Sequence, residues 1–285
     1  MIAYTLDAAM VRSIRPLIEL ALAEDLGTGD ITSATTIPAL AAGDAVLLAK
    51  AEGVLAGLAV AALVFHAVDA RLIFRPLAED GQSINAGERL AEITGPVRSL
   101  LSAERTALNF LQRMSGIATA TARYVRAVAG TGATIVDTRK TAPGHRVLDK
   151  YAVRAGGGKN HRFNLSDGVL IKDNHIAAIG GVARAIAAAR AGAPHTLKVE
   201  CEVESLEMAR QAVEAGADII LLDNMPLDEM RACVELIGGR ALTEASGGIT
   251  FEGVRAVAAC GVNLISIGAL THSVTALDIS LEYEG

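Results

Sequence analysis

The residues that could do chemistry in this chain follow short apolar segments in its second half. Six segments have the composition of buried strands, and Ala-rich helical segments lie between them: 134–137, 169–172, 197–202, 219–222, 241–244 and 264–267. Each is followed by polar residues or glycines, or carries them near its end. The carboxyl ends of parallel strands meet on one face, where α/β barrels carry their catalytic groups. The pattern therefore predicts an active site there.

Four cations cluster at this predicted face, namely Arg139, Lys140, Arg162 and Lys172. An Arg side chain offers a planar fork to a carboxylate or phosphate, and a Lys side chain offers a point charge. Unpaired cations would repel one another, so their clustering predicts a ligand with more than one negative charge.

Two acids, Glu202 at the end of one predicted strand and Asp223 directly after the next, should share the same cavity mouth. Carboxylates beside a phosphate site are typical ligands of Mg²⁺, which prefers oxygen donors. The alternative is that these acids pair with the four cations. The residues alone leave both interpretations open.

Glycine-containing stretches follow the last two predicted strands, at Ser246, Gly247 and Gly248 and again at Gly268. The last two strand–helix loops of many barrels bind a phosphate through backbone N–H groups, although a Gly-Gly pair also marks any tight turn. A third glycine run at 156–158 precedes Asn160, His161 and Arg162, and His161 lies where it could bond a substrate carboxylate.

The elements that must position these residues follow from periodicity. Helices are predicted near 145–155, 178–190, 205–215, 227–237 and 251–260, which gives repeated βα units and a parallel sheet. The first third differs, with helices at 7–26, 55–68 and 99–114 and strands at 45–50 and 72–74, the pattern of a small α+β unit. Periodicity does not separate an open sheet from a barrel, and the chemistry at the strand ends favours the barrel.

Composition excludes several classes of protein. The formal charge of −6 disfavours a nucleic-acid binder, and 51% hydrophobic residues exclude a disordered chain. Neither a membrane span nor a signal peptide is indicated, and three cysteines without a Cys-x-x-Cys pair predict reduced thiols in a cytoplasmic protein. Cys201 alternates with Glu200 and Glu202, so we expect it to face the core rather than act as a nucleophile. His66, His145 and His195 are expected in solvent or core.

Several motifs together resemble the quinolinate phosphoribosyltransferase family. They occur in order along essentially the whole chain: Leu22-Ala-Glu-Asp-Leu-Gly, Ser102-Ala-Glu-Arg-Thr, Thr138-Arg-Lys-Thr, Gly156-Gly-Gly-Lys-Asn-His-Arg, Leu170-Ile-Lys-Asp-Asn-His-Ile, Glu200-Cys-Glu-Val, Leu222-Asp-Asn-Met, Glu244-Ala-Ser-Gly-Gly-Ile and Gly268-Ala-Leu-Thr-His-Ser. The number of motifs and their consistent spacing make a chance match improbable.

The resemblance implies an incomplete six- to seven-stranded α/β barrel with an N-terminal α+β open sandwich domain. We expect the sandwich at 1–115, joined or not by the segment 274–285, and the barrel at 116–273. It also implies transfer of phosphoribosyl from 5-phosphoribosyl 1-pyrophosphate to quinolinate with decarboxylation. The products are nicotinate mononucleotide, pyrophosphate and CO₂, within NAD biosynthesis. Homodimers with shared active sites are implied, with a hexamer as the open alternative.

The resemblance also assigns roles to residues. Quinolinate would be held by Arg105, Thr138, Arg139, Lys140, His161, Arg162 and Lys172. The phosphoribosyl pyrophosphate would be held by Lys140, Lys172, Glu202, Asp223, Ser246, Gly247, Gly248, Ile267, Gly268, Ala269 and His272. Catalysis would rest on Lys140, Lys172, Glu202 and Asp223, and the two acids would face Mg²⁺, directly or indirectly.

Three other interpretations were weighed. A molybdenum-associated paralogue shares the barrel, but the intact Lys172–His175 string favours the quinolinate enzyme. A Schiff-base aldolase would use Lys172 as its nucleophile, which the neighbouring cations and phosphate loops fit less well. A non-enzymatic dicarboxylate-binding protein would leave Glu202 and Asp223 without a role.

Overall fold

The computed structural model describes residues 6–285. Within them the chain forms two compact units. Unit 1 contains the described residues up to 122 together with 141–157 and 270–285, and unit 2 contains 123–140 and 158–269. No helix among the described residues has the length and apolarity that a membrane crossing requires.

The helices of the described part are, in chain order, α1 (Ala8–Leu26), α2 (Ile31–Thr36), α3 (Leu58–Val68), α4 (Val97–Ala127), α5 (Arg146–Ala155), α6 (Asp173–Ile179), α7 (Val182–Gly192), α8 (Leu206–Glu214), α9 (Leu227–Ile237), α10 (Val254–Ala258) and α11 (Ala269–His272). The strands are β1 (Ala42–Ala49), β2 (Gly53–Val54), β3 (Ile73–Pro76), β4 (Ser83–Ile84), β5 (Arg89–Pro96), β6 (Thr134–Val136), β7 (Val169–Ile171), β8 (Val199–Val203), β9 (Ile219–Asp223), β10 (Leu242–Ser246), β11 (Leu264–Ser266) and β12 (Ile279–Tyr283).

Unit 1 is built around an antiparallel sheet in the order β12-β1-β5-β3. The C-terminal strand β12 pairs with β1, with Leu281 opposite Leu47. A strand of the first fifty residues and the last strand of the chain therefore share one sheet. Helix α1 begins where Asp7 Oδ1 accepts the backbone N–H of Met10 at 2.7 Å, and it ends at Gly27, whose φ of +52° suits glycine.

Helix α4 is longer than the sequence predicted. The expected helix at 99–114 continues to Ala127 and runs through Ser115 and Gly116, where the change in sequence pattern had suggested a break. Gly116 is required by packing rather than by a turn. A Cβ there would lie 2.1 Å from the carbonyl oxygen of Thr275, so only glycine lets the C-terminal segment pass this close to the helix.

Unit 2 contains a sheet of six parallel strands in the order β6-β11-β10-β9-β8-β7. The first strand of this sheet in sequence, β6, lies beside the last one, β11, so the strand order is nearly cyclic. Strands β6 and β7 remain as the two edges of the sheet. Lys159 extends the β6 edge through a parallel bridge to Val136. This arrangement confirms the predicted α/β class, an incomplete barrel with a separate antiparallel sheet.

One more predicted helix differs from the structure, and the two compact units divide the chain differently from the domain bounds expected from the sequence. The helix expected at 178–190 is instead two helices, α6 and α7, separated by Gly180 and Gly181 with φ values of +84° and +137°. The division expected between residues 115 and 116 assigns α5 to the barrel, whereas the structure groups 141–157 with unit 1. There Asp149 receives two hydrogen bonds from Arg113, and the Tyr151 hydroxyl donates to Asp80 at 2.6 Å.

Candidate active site

A cavity of about 500 Å³ lies at the carboxyl ends of the strands in unit 2. It contains most of the site residues predicted from the sequence: Thr138, Arg139, Lys140, His161, Arg162, Lys172, Glu202, Asp223, Ser246, Gly247 and Gly248. These residues lie at the ends of β6, β7, β8, β9 and β10 or just after them, or in the segment after α5. The fold therefore brings into one cavity groups that are more than 100 residues apart in sequence.

Arg162 is the cation whose surroundings most clearly indicate an anionic ligand. Its Nη1 donates to the carbonyl of Gly168 at 2.9 Å, while its Nε is buried and has no hydrogen-bond partner among the described residues. Burial and the positive charge of Arg139 lower the pKa of Arg162 from its usual value. A ligand carboxylate would supply the missing acceptor and the missing charge.

Lys172 and Glu202 form an ion pair across the cavity, with Lys172 Nζ 2.6 Å from Glu202 Oε2. Lys172 immediately follows β7, and its backbone N–H donates to His175 Nδ1 at 2.9 Å, which fixes the turn into α6. This pair agrees with the second interpretation of the two acids, in which they pair with the neighbouring cations. Because the Lys172 side chain is 48% exposed, an anionic ligand can still reach it.

The loops after β9 and β10 are locked together at Asn224 and Gly247. Asn224 has a positive φ of +53°, its backbone N–H donates to the carbonyl of Ser246, and its side chain donates to Asp223 Oδ2 at 2.7 Å. A Cβ on Gly247 would lie 2.2 Å from Asn224 Oδ1. Only glycine at position 247 leaves room for the Asn224 side chain. That side chain in turn orients Asp223 at the cavity wall through its hydrogen bond.

A buried acidic layer lies under the cations. Asp137 Oδ1 accepts the backbone N–H of His161 at 2.9 Å, and Asp137 Oδ2 accepts the Asn160 amide at 2.6 Å. His161 Nε2 lies 3.1 Å from Glu200 Oε2 and 3.8 Å from Glu244 Oε1. Burial, with the negative charge of Glu200 adding to it, raises the pKa of Glu244 to about 7.

Five of the predicted site residues do not line this cavity. Ile267 is buried within the sheet region, while Gly268 and Ala269 follow it. Arg105 is exposed on α4 in unit 1, and His272 is exposed at the end of α11 with its Nδ1 2.8 Å from Ser273 Oγ. The roles expected for these five residues stay predictions.

The remaining sequence predictions concern histidines and the central cysteine. His66 and His195 are exposed, and His145 is half-buried beside Phe110, with ring centroids 5.9 Å apart. Cys201 is fully buried, and burial raises the pKa of its thiol to about 12. The thiolate needed for a nucleophile is therefore negligible at neutral pH, as its strand position predicted.

The cavity also contains residues to which the sequence assigned no role: Leu170, Leu221, Asn224, Glu244 and Ser266. A signal existed for three of them, and for Leu221 it is the position two residues before Asp223 on β9. Glu244 lies two residues before Ser246 on one strand, so the two side chains share a face. Leu170 lies two residues before Lys172 in the same way. Asn224 and Ser266 give no comparable signal because their positions depend on contacts between strands.

The chain matches the sequence profiles of two domains along its length. Residues 30–115 match the quinolinate phosphoribosyl transferase N-terminal domain, and residues 117–282 match the C-terminal domain of the same family. A probable carboxylating nicotinate-nucleotide pyrophosphorylase from Bacillus subtilis (strain 168) is 47% identical over 269 residues, which cover 94% of this chain and 93% of that protein. A carboxylating nicotinate-nucleotide pyrophosphorylase from Mycobacterium leprae is 46% identical over 94% of this chain and 96% of its own length.

Solved structures agree over nearly the whole chain. The crystal structure of NadC from Streptococcus pyogenes superposes with a TM-score of 0.93 at 45% identity, covering 99% of this chain and 100% of that one. A nicotinate-nucleotide pyrophosphorylase from Francisella tularensis superposes with a TM-score of 0.92 at 39% identity, covering 96% of each chain.

Proposed function

Since this chain belongs to the quinolinate phosphoribosyltransferase family, we propose that it transfers the phosphoribosyl group of 5-phosphoribosyl 1-pyrophosphate to quinolinate. The pyridine nitrogen of quinolinate forms a bond to ribose C1 while the bond from C1 to pyrophosphate breaks. Loss of the 2-carboxylate as CO₂ and protonation of C2 then give nicotinate mononucleotide. The reaction is a pentosyl transfer that supplies NAD biosynthesis.

One observation carries the proposal: a single cavity of about 500 Å³ combines cations for a dicarboxylate, two acids and a glycine loop for a phosphate. Each feature alone fits many enzymes. Their combination fits two substrates that are both multiply anionic and react with each other. Within that cavity the buried Nε of Arg162 has no hydrogen-bond partner among the described residues, so an anionic ligand would complete its surroundings.

Quinolinate would lie against Arg139, Arg162 and Thr138, with Lys140 and Lys172 within reach of either substrate. The unpartnered Nε of Arg162 supports this placement. Leu170 and Leu221, which line the same cavity, offer apolar contact to the pyridine ring. Fixing both carboxylates would hold the ring nitrogen in line with ribose C1, the orientation that accelerates a bimolecular step.

The phosphoribosyl pyrophosphate would occupy the side formed by the loops after β9 and β10. Ser246, Gly247 and Gly248 offer backbone N–H groups to the 5′-phosphate. Glu202 and Asp223 would face the ribose, where their negative charge favours the positive character that develops at C1 as pyrophosphate leaves. Lys140 and Lys172 would stabilise the charge on the departing pyrophosphate.

The proposed Mg²⁺ fits the residues present if the substrate completes its coordination. Two carboxylates at the cavity wall, Glu202 and Asp223, match the usual protein share of a magnesium site, with phosphate oxygens and waters supplying the rest. When bound, the ion would neutralise negative charge on the leaving group. Glu202 would first have to release Lys172, to which it is paired.

The proposal extends to the assembly and its location. We expect a homodimer in which Arg105 of one subunit reaches the quinolinate site of its partner, and a hexamer is the alternative assembly. The exposed position of Arg105 supports this, because a side chain facing away from its own core can enter a partner's cavity. A cytoplasmic location is supported by three free, buried cysteines.

The test is incubation of the purified protein with quinolinate, phosphoribosyl pyrophosphate and Mg²⁺, followed by detection of nicotinate mononucleotide and ¹³CO₂ from quinolinate labelled at the 2-carboxylate. Nicotinate replaces quinolinate in a parallel reaction. We expect turnover of quinolinate and little of nicotinate, because nicotinate lacks the second carboxylate that would accept a hydrogen bond from the buried Nε of Arg162. Comparable turnover of both, or of neither, would contradict the proposal.

A further inference from the structure

We propose that Glu200 and Glu244 are positioning residues that hold the His161 imidazole from below and so orient Arg162 towards the quinolinate carboxylate. The inference rests on the proposed function and adds to it two acids that act through His161, of which Glu244 also lines the cavity. It also gives His161 a different role, as a structural link rather than a ligand of the carboxylate.

The hydrogen-bond partners of the His161 ring show which of its nitrogens carries the hydrogen. The backbone N–H of Arg162 donates to His161 Nδ1 at 2.7 Å, so Nδ1 is an acceptor. A neutral imidazole carries one hydrogen, which must then be on Nε2. Both ring nitrogens are therefore engaged within the protein: Nδ1 holds the backbone of Arg162, and Nε2–H points to the two acids.

Both acids beside the ring are buried. Glu200 and Glu244 are 4% and 1% exposed, and the Oε1 atom of each lacks a hydrogen-bond partner among the described residues. Buried oxygens of this kind are costly unless they serve a purpose. Here Glu200 Oε2 lies 3.1 Å from His161 Nε2, within hydrogen-bond distance, and Glu244 Oε1 lies 3.8 Å from the same nitrogen. The raised pKa of Glu244 is consistent with one carboxyl holding a proton, which relieves repulsion between them.

The His161 ring is connected to Arg162 through the backbone. Asp137 holds the backbone N–H of His161, and His161 Nδ1 holds that of Arg162, so the two residues form a short rigid turn. The Arg162 side chain is anchored at one point, Nη1 to Gly168, which leaves its direction dependent on this turn. If the acids are removed, the ring can rotate and the turn loosens. A displacement of about 1 Å at a binding group can cost about 100-fold in rate.

A divalent metal is the competing explanation, because ligand atoms of His161, Glu200 and Glu244 lie within 4.8 Å of one another. A metal on Nε2 of a neutral ring would require the hydrogen on Nδ1. That hydrogen would then face the N–H of Arg162, and two donors would oppose each other at 2.7 Å. The geometry thus favours hydrogen bonding over metal binding.

The test compares steady-state kinetics of Glu200→Met and Glu244→Met with those of Glu200→Gln and Glu244→Gln. Met keeps the volume but accepts no strong hydrogen bond, whereas Gln keeps an acceptor. For the Met variants we expect the KM for quinolinate to rise at least tenfold and the KM for phosphoribosyl pyrophosphate to change less than threefold. The Gln variants should stay within threefold of wild type. Cys201→Ala, a buried change on the opposite face of β8, is the matched control and should leave both KM values unchanged.

A double-mutant cycle separates positioning from a general loss of structure. In an Arg162→Ala background, Glu244→Met should change kcat/KM for quinolinate less than twofold, because its effect acts through Arg162. Additive losses, or equal rises in both KM values, would overturn the inference. If the Met variants do not fold, Glu200→Asp, which withdraws the carboxylate by one methylene, takes their place with the same expectation.

Metal content is measured on the purified wild-type protein by mass spectrometry, with Zn²⁺ and Mn²⁺ offered in excess. A stoichiometric ion that His161→Gln abolishes would overturn the inference in favour of a metal site. Failure of the wild-type protein to convert quinolinate would instead reject the proposed function. That outcome is distinct from a converting enzyme whose Met variants behave like wild type, which would reject the positioning role alone.

Discussion

Arg162 and Asp223 line the same cavity but suit opposite partners, and this difference can be measured. Arg162→Ala should weaken quinolinate binding at least tenfold more than phosphoribosyl pyrophosphate binding, since a lost charge-assisted hydrogen bond costs about 1.5–3 kcal/mol. Asp223→Ala should do the reverse and raise the Mg²⁺ concentration needed for half-maximal activity. Calorimetric titration of each ligand separately measures both effects.

The control for these variants is Arg231→Ala, which removes an exposed arginine paired with Asp228 on the surface of unit 2. Such surface pairs contribute little, so both affinities should match wild type. Equal losses for the two ligands in either cavity variant would show that the two acids and the cations do not divide between the substrates as we propose.

Glu244 makes the stability of the protein depend on pH. Its pKa rises from 4.5 in the unfolded chain to about 7 in the folded one, so the folded state binds more protons between these values. Stability from this group is therefore present below pH 4.5 and is lost as pH rises through 7. Between pH 5 and pH 8, wild type should lose on the order of 1–3 kcal/mol relative to Glu244→Gln.

Urea unfolding at a series of pH values measures this difference. Glu235→Gln is the matched control, because Glu235 is exposed on α9 in the same unit. Its profile should parallel that of wild type, whereas the profile of Glu244→Gln should diverge with rising pH. Parallel profiles for all three proteins would mean that Glu244 is ionised in both states.

At the residue scale the sequence predicted that the cations, the two acids and the glycine loop would meet in one cavity, because most of them lie at or just after the end of a strand and parallel strands end on one face. It assigned no role to Asp137 and Glu244 although both were visible at strand ends. Their role depends on depth: both are buried, at 0% and 1% exposure, and they contact the segment 160–162 that enters from elsewhere in the chain. Strand position alone carries no information about such a neighbour.

At the element scale, α4 provides the sharpest prediction. Gly116→Ala places a Cβ 2.1 Å from the backbone carbonyl of Thr275, and a backbone atom cannot move aside as a side chain can. We expect a loss of about 2–3 kcal/mol in the free energy of unfolding, the range for overpacked cores. Urea denaturation followed by circular dichroism is the measurement.

Gly192→Ala is the matched substitution, since Gly192 ends α7 and no atom lies within 4 Å of a Cβ there. Stability should be unchanged or rise by about 0.5 kcal/mol, because alanine favours the helix. A loss of equal size in both variants would indicate a general cost of replacing helical glycines rather than the close approach to Thr275.

The elements that the sequence predicted well are those whose apolar residues repeat regularly. The six parallel strands and helices α8 and α9 are close to their expected bounds, since apolar periodicity is set by burial of one face. Glycine was harder to interpret. Gly27 ends a helix as predicted, Gly180 and Gly181 separate two helices where one was expected, and Gly116 interrupts nothing. These roles differ in φ and in the nearby atoms, neither of which is written in the local sequence.

At the scale of the whole molecule, the sequence located a change of character near residue 115 and left open whether 274–285 joins the first domain, but it gave no sign that 141–157 would group with unit 1. Residues 141–157 belong there because Asp149 is bonded to Arg113 and Tyr151 to Asp80. Residues 270–285 belong there because β12 pairs with β1. Contacts between such distant segments depend on three-dimensional packing, which periodicity within a window does not report.

The proposed sharing of sites between subunits is the prediction that belongs to the assembly. Arg105 is exposed on α4 of unit 1, while Lys172 lines the cavity of unit 2. Arg105→Ala and Lys172→Ala should each inactivate a homodimer. In a mixed dimer with shared sites, one site carries both lesions and the other carries neither, because a twofold axis repeats the same exchange at both sites.

Mixing equal amounts of the two variants under conditions of subunit exchange should therefore restore about a quarter of wild-type activity, since half of the dimers are mixed and each has one intact site. Exchange is verified by mass spectrometry of differently tagged subunits. As a control, a mixture of Lys140→Ala and Lys172→Ala should recover no activity. Both residues lie in the same cavity, so every site of the mixed dimer carries one lesion. An inactive Arg105/Lys172 mixture with confirmed exchange would mean that Arg105 acts within its own subunit or has no part in the reaction.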